Sequence, residues 1–168
     1  MRKFTSDDLP GLIKLRSDPE VYKYLGGTRM QNPVALRTRL QFYIDCYDKY
    51  SFGHHAMHWK ETGEMIGWSG LQPLEDTGEI EVGYGMAKEF WRKGIGYECA
   101  KKWLEFGFEK ANLKRIVAVA YPENTGSWRI MEKLGMRYEK HEEHYGVECV
   151  FYAISKEEFL NSLTPNAR

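Results

Sequence analysis

The sequence predicts an α+β (mixed α/β) domain, and three observations carry that prediction. The N-terminal part has apolar residues at helical spacing. The middle switches to short runs with apolar and polar residues alternating, separated by tight turns. Beyond these, a long helical pattern links an alternating strand to one that is apolar at nearly every position, the layout of a βαβ unit. The chain of 168 residues suits one domain with a real core. With no repeat, low-complexity segment or Pro/Gly/Ser linker, a single domain over residues 1–168 is the simplest organisation.

In order, a strand stub precedes a helix for which Ser6 or Asp7 is the expected N-cap, with Leu9, Leu12, Ile13 and Leu15 or Arg16 at helical spacing. Asp18-Pro19 breaks this run. Val21, Tyr22 and Leu25 form a second short apolar face that Gly26-Gly27 ends. Asn32-Pro33 offers a cap and a first-turn proline for a longer helix bearing Leu36, Leu40, Tyr43, Ile44 and Tyr47. Residues 54–74 read as two strands around a turn at Thr62-Gly63. Residues 78–87 read as another, with Ile80, Val82, Tyr84 and Met86 alternating against Glu79, Glu81, Gly83 and Gly85. Short turns make these strands antiparallel. A helix over residues 94–111 follows, then a strand over 115–121 that is apolar enough to be buried on both faces. Asn124 or Thr125 caps a short helix with Gly135 at its C′ position. Strands at 137–142 and 147–154 precede a last helix opened by a capping box from Ser155 to Glu158.

Composition excludes several function classes. Lys plus Arg balance Asp plus Glu at 24 each, without the basic excess of a nucleic-acid-binding surface. No apolar run approaches the ~20 residues that span a bilayer, and the N-terminus lacks the apolar core of a signal peptide. Cys46, Cys99 and Cys149 are scattered and odd in number, which points to reduced thiols and a cytoplasmic chain. No His-Glu-x-x-His occurs, and His141 and His144 fall on opposite sides of a strand, so no metal site is expected.

The segment Trp91-Arg92-Lys93-Gly94-Ile95-Gly96-Tyr97 carries the functional question. A Gly-x-Gly at a helix start lets backbone approach a ligand closely, and the first N–H groups of the helix favour an anion. Arg92 and Lys93 add cations, and Trp91 and Tyr97 add aromatic surface. The competing reading is a solvated connector. No Gly-Lys-Ser/Thr follows, so it is not a P-loop. The dinucleotide fingerprint also fails, because its third glycine would fall at Cys99.

Residues 78–84, this glycine segment, and Asn124-x-x-Ser127 leading into Glu132-Lys133-Leu134-Gly135-Met136 come in an order more specific than any one of them. In that order the chain resembles the GNAT superfamily of acyl-CoA-dependent N-acetyltransferases, nearest the branch with the RimJ/RimL ribosomal-protein N-terminal acetyltransferases. The resemblance runs over nearly the whole chain. Trp91-Arg92-Lys93-Gly94-Ile95-Gly96 aligns with the family's Q/R-x-x-G-x-G/A pyrophosphate motif, and residues 124–136 with its NxxSxRxxEKxGF stretch. Trp91 stands where the motif has Gln or Arg, which shifts the expected charge onto Arg92 or Lys93. Met131 stands where many members place a tyrosine that protonates the leaving thiolate.

The resemblance implies a GNAT fold: a mostly antiparallel mixed sheet of six to seven strands, splayed at the fourth and fifth and flanked by helices. It implies direct transfer of acetyl from acetyl-CoA to a primary amine, without a metal. The amides of residues 92–97 would hold the CoA phosphates. Tyr84, Gly85 and Met86 would hold the pantetheine arm and thioester carbonyl, and Asn124 the arm or a water. The cofactor-binding set is thus Tyr84, Gly85, Met86, Trp91, Arg92, Lys93, Gly94, Ile95, Gly96, Tyr97 and Asn124. Ser127 is the candidate acid for the thiolate in the RimL-like branch, with helix capping as its structural alternative. The attacking amine must be neutral, so a base is needed. Glu81 and Glu143 lead, beside Glu142 and Glu148, each with a solvated carboxylate as alternative. The acceptor side draws on Tyr22, Tyr24, Arg29, Arg37, Tyr43, His141, His144 and Tyr145, a mix that suits a peptide N-terminus, a polyamine or another small amine. The family also contains homodimers, which a balanced charge does not oppose. Two other readings stay open at this point: a non-catalytic acyl-CoA-binding sensor or scaffold, and an α+β interaction domain that binds no CoA.

Overall fold

The structure is a computed structural model that describes residues 1–26 and 32–163; Arg29 lies outside the described residues. In chain order it runs β1 (Arg2–Lys3), a 3-10 turn (Ser6–Asp8), α1 (Leu9–Leu15), α2 (Pro19–Tyr22), α3 (Pro33–Tyr50), β2 (His54–His58), β3 (Met65–Pro73) and β4 (Ile80–Met86). A second 3-10 turn (Lys88–Phe90) precedes α4 (Ile95–Glu109), β5 (Arg115–Ala120), α5 (Thr125–Lys133), β6 (Arg137–His144), β7 (Val147–Ser155) and α6 (Lys156–Leu163). Seven strands are hydrogen-bonded in the order β1-β2-β3-β4-β5-β7-β6. β4 and β5 run parallel, with Glu81 opposite Val117, as the strand–helix–strand pattern requires. The pairs β1–β2, β2–β3, β5–β7 and β6–β7 are antiparallel. Among the described residues no helix is long and apolar enough to cross a membrane. Packing divides the chain into two compact units, Met1–Gln72 with Gly83–Ala100, and Pro73–Val82 with Lys101–Arg168.

In the first unit the N-terminal cap is Thr5, not Ser6 or Asp7. The chain enters through a 3-10 turn that makes Asp8 the third residue, and its carboxylate reaches back to the Thr5 amide at 2.9 Å. The same buried carboxylate takes both Arg2 guanidinium nitrogens, at 2.8 and 2.6 Å. Burial pushes the Asp8 carboxyl up, but the bonds from Arg2 and Thr5 outweigh it and hold it below the usual range. Asp18 caps α2 and Asn32 caps α3, each followed by proline at the first helical position. On α3, Leu36, Leu40, Tyr43 and Cys46 are buried, one face at intervals of three and four. Leu40 and Tyr43 pack with Phe4, Leu12, Leu15, Val21, Ala56 and Trp68. Each fully buried Leu contributes about 1.5–3 kcal/mol.

β3 is buried from Ile66 to Gln72 and is kept slim by Gly67, Ser69 and Gly70. A Cβ on Gly67 would lie 2.3 Å from the Gly85 carbonyl oxygen and 2.8 Å from the Met86 Cα, and neither backbone atom can rotate away. Gly67→Ala is therefore expected to lower stability by about 3 kcal/mol, the upper end for overpacking. Urea unfolding would show this as a lower midpoint at unchanged slope.

In the second unit, Leu74, Val117, Phe151 and Ala153 form a core cluster, and the Phe108 ring of α4 meets Phe159 of α6 at 5.1 Å. β5 is buried at Ile116, Val117 and Ala118, matching its unbroken apolar run. α5 ends in a Schellman motif: Gly135 has φ 81, its amide bonds to the Glu132 carbonyl at 2.9 Å, and the Met136 amide bonds to the Met131 carbonyl at 3.0 Å. The capping box of α6 forms as expected, with Ser155 N to Glu158 Oε2 at 2.9 Å and Glu158 N to Ser155 Oγ at 3.2 Å.

Candidate active site

The glycine segment makes a tight turn into α4 within the first unit. Arg92 has φ 60 and Gly94 has φ 81, two left-handed residues on either side of Lys93. Such reversals of hand turn successive N–H groups toward one concave side. The Gly94 carbonyl accepts the Glu98 amide at 3.0 Å, the first bond of α4. The amides of Ile95, Gly96 and Tyr97 sit in the opening turn, where a helix supplies them no acceptor of its own. Arg92, Lys93 and Gly94 are exposed and Gly96 is buried. The arrangement presents N–H groups, a helix dipole and two cations at one place, chemistry that suits an anion.

Trp91, at the position where the motif has Gln or Arg, has a structural task. Its indole N–H donates to the Met86 carbonyl at 2.9 Å, and its ring packs on the cluster of Met57, Ile66 and Met86. It thereby ties the start of this turn to the end of β4 and leaves Arg92 and Lys93 to supply charge. The β4 glycines, which in the sequence mark a close backbone approach, make that approach to side chains of this chain. A Cβ at Gly83 would come 3.0 Å from His54 Nε2, and one at Gly85 would come 3.0 Å from the Trp68 ring. Strand alternation sends Tyr84 and Met86 to the other face. His54 stacks on Trp68 at 4.7 Å, and its two buried ring nitrogens have no hydrogen-bond partner among the described residues. Burial, then the charges of Arg39, His55 and Arg16, hold its pKa well below the ordinary value, so the ring is neutral.

The second unit holds a chain of carboxylates around the β6–β7 turn. Glu81 on β4 is 6% exposed, and its Oε1 accepts from the Tyr145 hydroxyl at 2.5 Å. The Tyr145 amide donates to Glu75 Oε1 at 3.0 Å. His144, also buried, places Nδ1 2.9 Å from Glu75 Oε2 and Nε2 2.9 Å from Glu142 Oε2. Lys140 bonds the other Glu142 oxygen at 2.7 Å, and this bond is the largest influence holding Glu142 below its usual pKa. Cys149 lies nearby; burial and then the Glu81 charge push its thiol up to about 11.

Of the candidate bases, Glu81 is thus buried and held, Glu143 is exposed, and Glu148 pairs with His141 at 3.0 Å. His144 is buried and His141 exposed, the opposite faces their spacing requires. Glu75 was missed by sequence reasoning, because Glu75-Asp76-Thr77-Gly78 has only the composition of a turn. His144 and Tyr145, expected on the acceptor side, are each bonded to carboxylates.

Asn124 and Ser127 also lie in the second unit, at the start of α5. The Asn124 side chain accepts the Ser127 amide at 3.3 Å, so the cap is Asn124, and Ser127 enters it through its backbone N–H. Among the described residues, no group of three or more His, Cys, Asp or Glu is placed to hold a metal ion.

Residues 1–137 match the acetyltransferase (GNAT) domain family. A relative from Bacillus licheniformis, the uncharacterized N-acetyltransferase p20, is 32% identical over 140 residues, 83% of this chain and 79% of that one. A solved GNAT-family acetyltransferase from Bacillus anthracis is similar with a TM-score of 0.75 and 26% identity, covering 93% of each chain. Spermidine N-acetyltransferase from Vibrio cholerae, solved with CoA and spermine, shares the fold with a TM-score of 0.74 at 18% identity, over 95% of this chain and 96% of that one.

Proposed function

The chain belongs to the GNAT family of acetyltransferases and is an N-acetyltransferase that carries acetyl from acetyl-CoA to an amine; from that premise we propose that the CoA pyrophosphate rests on the amides of residues 92–97. The observation that carries this reading is the pair of left-handed residues, Arg92 and Gly94, immediately before α4. A charged side chain in that conformation costs about 1 kcal/mol, and an anion-binding backbone is a reason to retain it. Tyr84, Gly85 and Met86 of the same unit complete these proposed contacts; Asn124, expected at the pantetheine arm or a water, is seen as the cap of α5.

In the proposed reaction, Glu81 takes the amine proton directly or through a water. The amine nitrogen bonds the thioester carbon and the C–S bond breaks; Ser127 passes its hydroxyl proton to the departing thiolate and regains the second proton that the new amide nitrogen sheds. Glu143, being exposed, is the secondary base candidate. The acceptor proposed is a primary amine, either a peptide N-terminus, as in the RimJ/RimL branch, or a small amine. The scattered cysteines, all unpaired among the described residues, fit the cytoplasmic setting proposed from them.

Thiol release from acetyl-CoA with a panel of peptides, polyamines and amino acids tests this reading. We expect turnover with one acceptor class, and a loss of roughly 100-fold in kcat for Ser127→Ala at unchanged KM for acetyl-CoA. Absence of calorimetric acetyl-CoA binding would overturn the CoA site, and full turnover in Ser127→Ala would remove the serine from the mechanism.

A further inference from the structure

Two residues with left-handed backbone meet each other in the second unit. Glu75, φ 47, lies in the turn before β4, and Tyr145, φ 54, opens the two-residue turn between β6 and β7. With Gly146 at φ 75, that turn is positive at both central residues, the type I′ form that favours Asn at its first position. Tyrosine is a costly choice there, and so is glutamate at residue 75. What tyrosine adds is reach. Its hydroxyl meets the buried Glu81 carboxylate at 2.5 Å while its amide meets Glu75 at 3.0 Å. Glu75 is in turn held by His144, and His144 by Glu142. A buried carboxylate is expensive without donors, and the Tyr145 hydroxyl is a donor that fixes which way Glu81 points.

We propose that Tyr145 is a positioning residue for acetyl transfer: its hydroxyl orients the Glu81 carboxylate, and Glu75 and His144 clamp the turn that carries it. This rests on the reading of Glu81 as the base. The Tyr145 bond to Oε1 sets how the carboxylate meets the amine proton. The titratable groups around the pair are Glu75, Glu142, His144, Cys149 and Glu148, and none of them changes in the variants that test it.

The experiment compares Tyr145→Phe and Tyr145→Asn, each alone and combined with Glu81→Gln, in steady-state kinetics with acetyl-CoA and the best acceptor of the panel. Both Tyr145 variants are expected to lose roughly 10- to 100-fold in kcat, the scale of a small misplacement, at unchanged KM for acetyl-CoA. Tyr145→Asn suits the turn but takes the donor from buried Glu81, so thermal unfolding is measured beside the kinetics; a folded variant of a purely structural tyrosine would keep its kcat. The acid limb of the kcat/KM profile should move to higher pH in both, because a carboxylate that loses a donor binds its proton more tightly. In the Glu81→Gln background neither variant should change kcat further. Full kcat and an unshifted limb in the Tyr145 variants, with Glu81→Gln inactive, would overturn the positioning role alone. Full kcat in Glu81→Gln would overturn the base reading, and the positioning role with it.

Discussion

Gly96→Glu is expected to lose acetyl-CoA binding by about 1,000-fold, read by calorimetric titration. Gly96 is the second residue of α4, behind the left-handed Arg92 and Gly94. A carboxylate added there faces the phosphates that the proposed cradle receives. Two unit charges about 4 Å apart repel by about 4 kcal/mol at an effective dielectric constant of about 20, and every ~1.4 kcal/mol is tenfold in affinity. Gly96→Ala adds volume without charge and has the better helix propensity, so it should fold at least as well and bind with a much smaller loss. Because Gly96 is buried, thermal unfolding of both variants is measured alongside. A folded Gly96→Glu that binds acetyl-CoA like the parent would place the phosphates elsewhere.

The tight turn into α4 was legible in the sequence because two glycines at a helix start, set between a strand and the rest of a βαβ pattern, point to a tight turn or a close backbone approach. What the sequence did not show was what Trp91 does at the position where the motif has Gln or Arg. That answer depends on a hydrogen bond to the Met86 carbonyl, a backbone atom with no sequence signature. The βαβ unit, the caps at Asn32 and Asn124, and the Ser155–Glu158 box were readable because each depends on neighbours a few residues away. The first cap moved from the expected Ser6 or Asp7 to Thr5 because the chain enters through a 3-10 turn whose third residue also pairs with Arg2, a choice made by tertiary contact. Glu75 and Tyr145 are 70 positions apart and joined by one amide-to-carboxylate bond, so periodicity could not reveal the pair. Glu81 was recognisable as a candidate from strand alternation, but its burial and its tyrosine partner come from the β6–β7 turn.

Glu81→Gln is expected to lower kcat with an amine acceptor by 100-fold or more at about pH 7, while acetyl-CoA affinity stays unchanged. Glutamine preserves the shape and can still accept from the Tyr145 hydroxyl, so the loss isolates proton removal from packing. The pH dependence of the residual rate then identifies the acceptor class. An amine with a pKa of about 10.4 is neutral in only about 1 molecule in 2,500 at about pH 7, whereas an α-amine with a pKa of about 7.8 is neutral in about 1 in 7. Without its base, the enzyme depends on amine that reaches it already neutral. For a lysine-like or polyamine acceptor, the residual rate of Glu81→Gln should therefore keep rising tenfold per pH unit up to about pH 10. For a peptide N-terminus it should level off near about pH 8, and the loss at neutral pH should be smaller. A Glu81→Gln enzyme with the parent's rate and pH profile would show that another group, Glu143 first among them, or solvent removes the proton. A rate that stays low and flat across the range would show that the carboxylate does more than accept a proton from the amine.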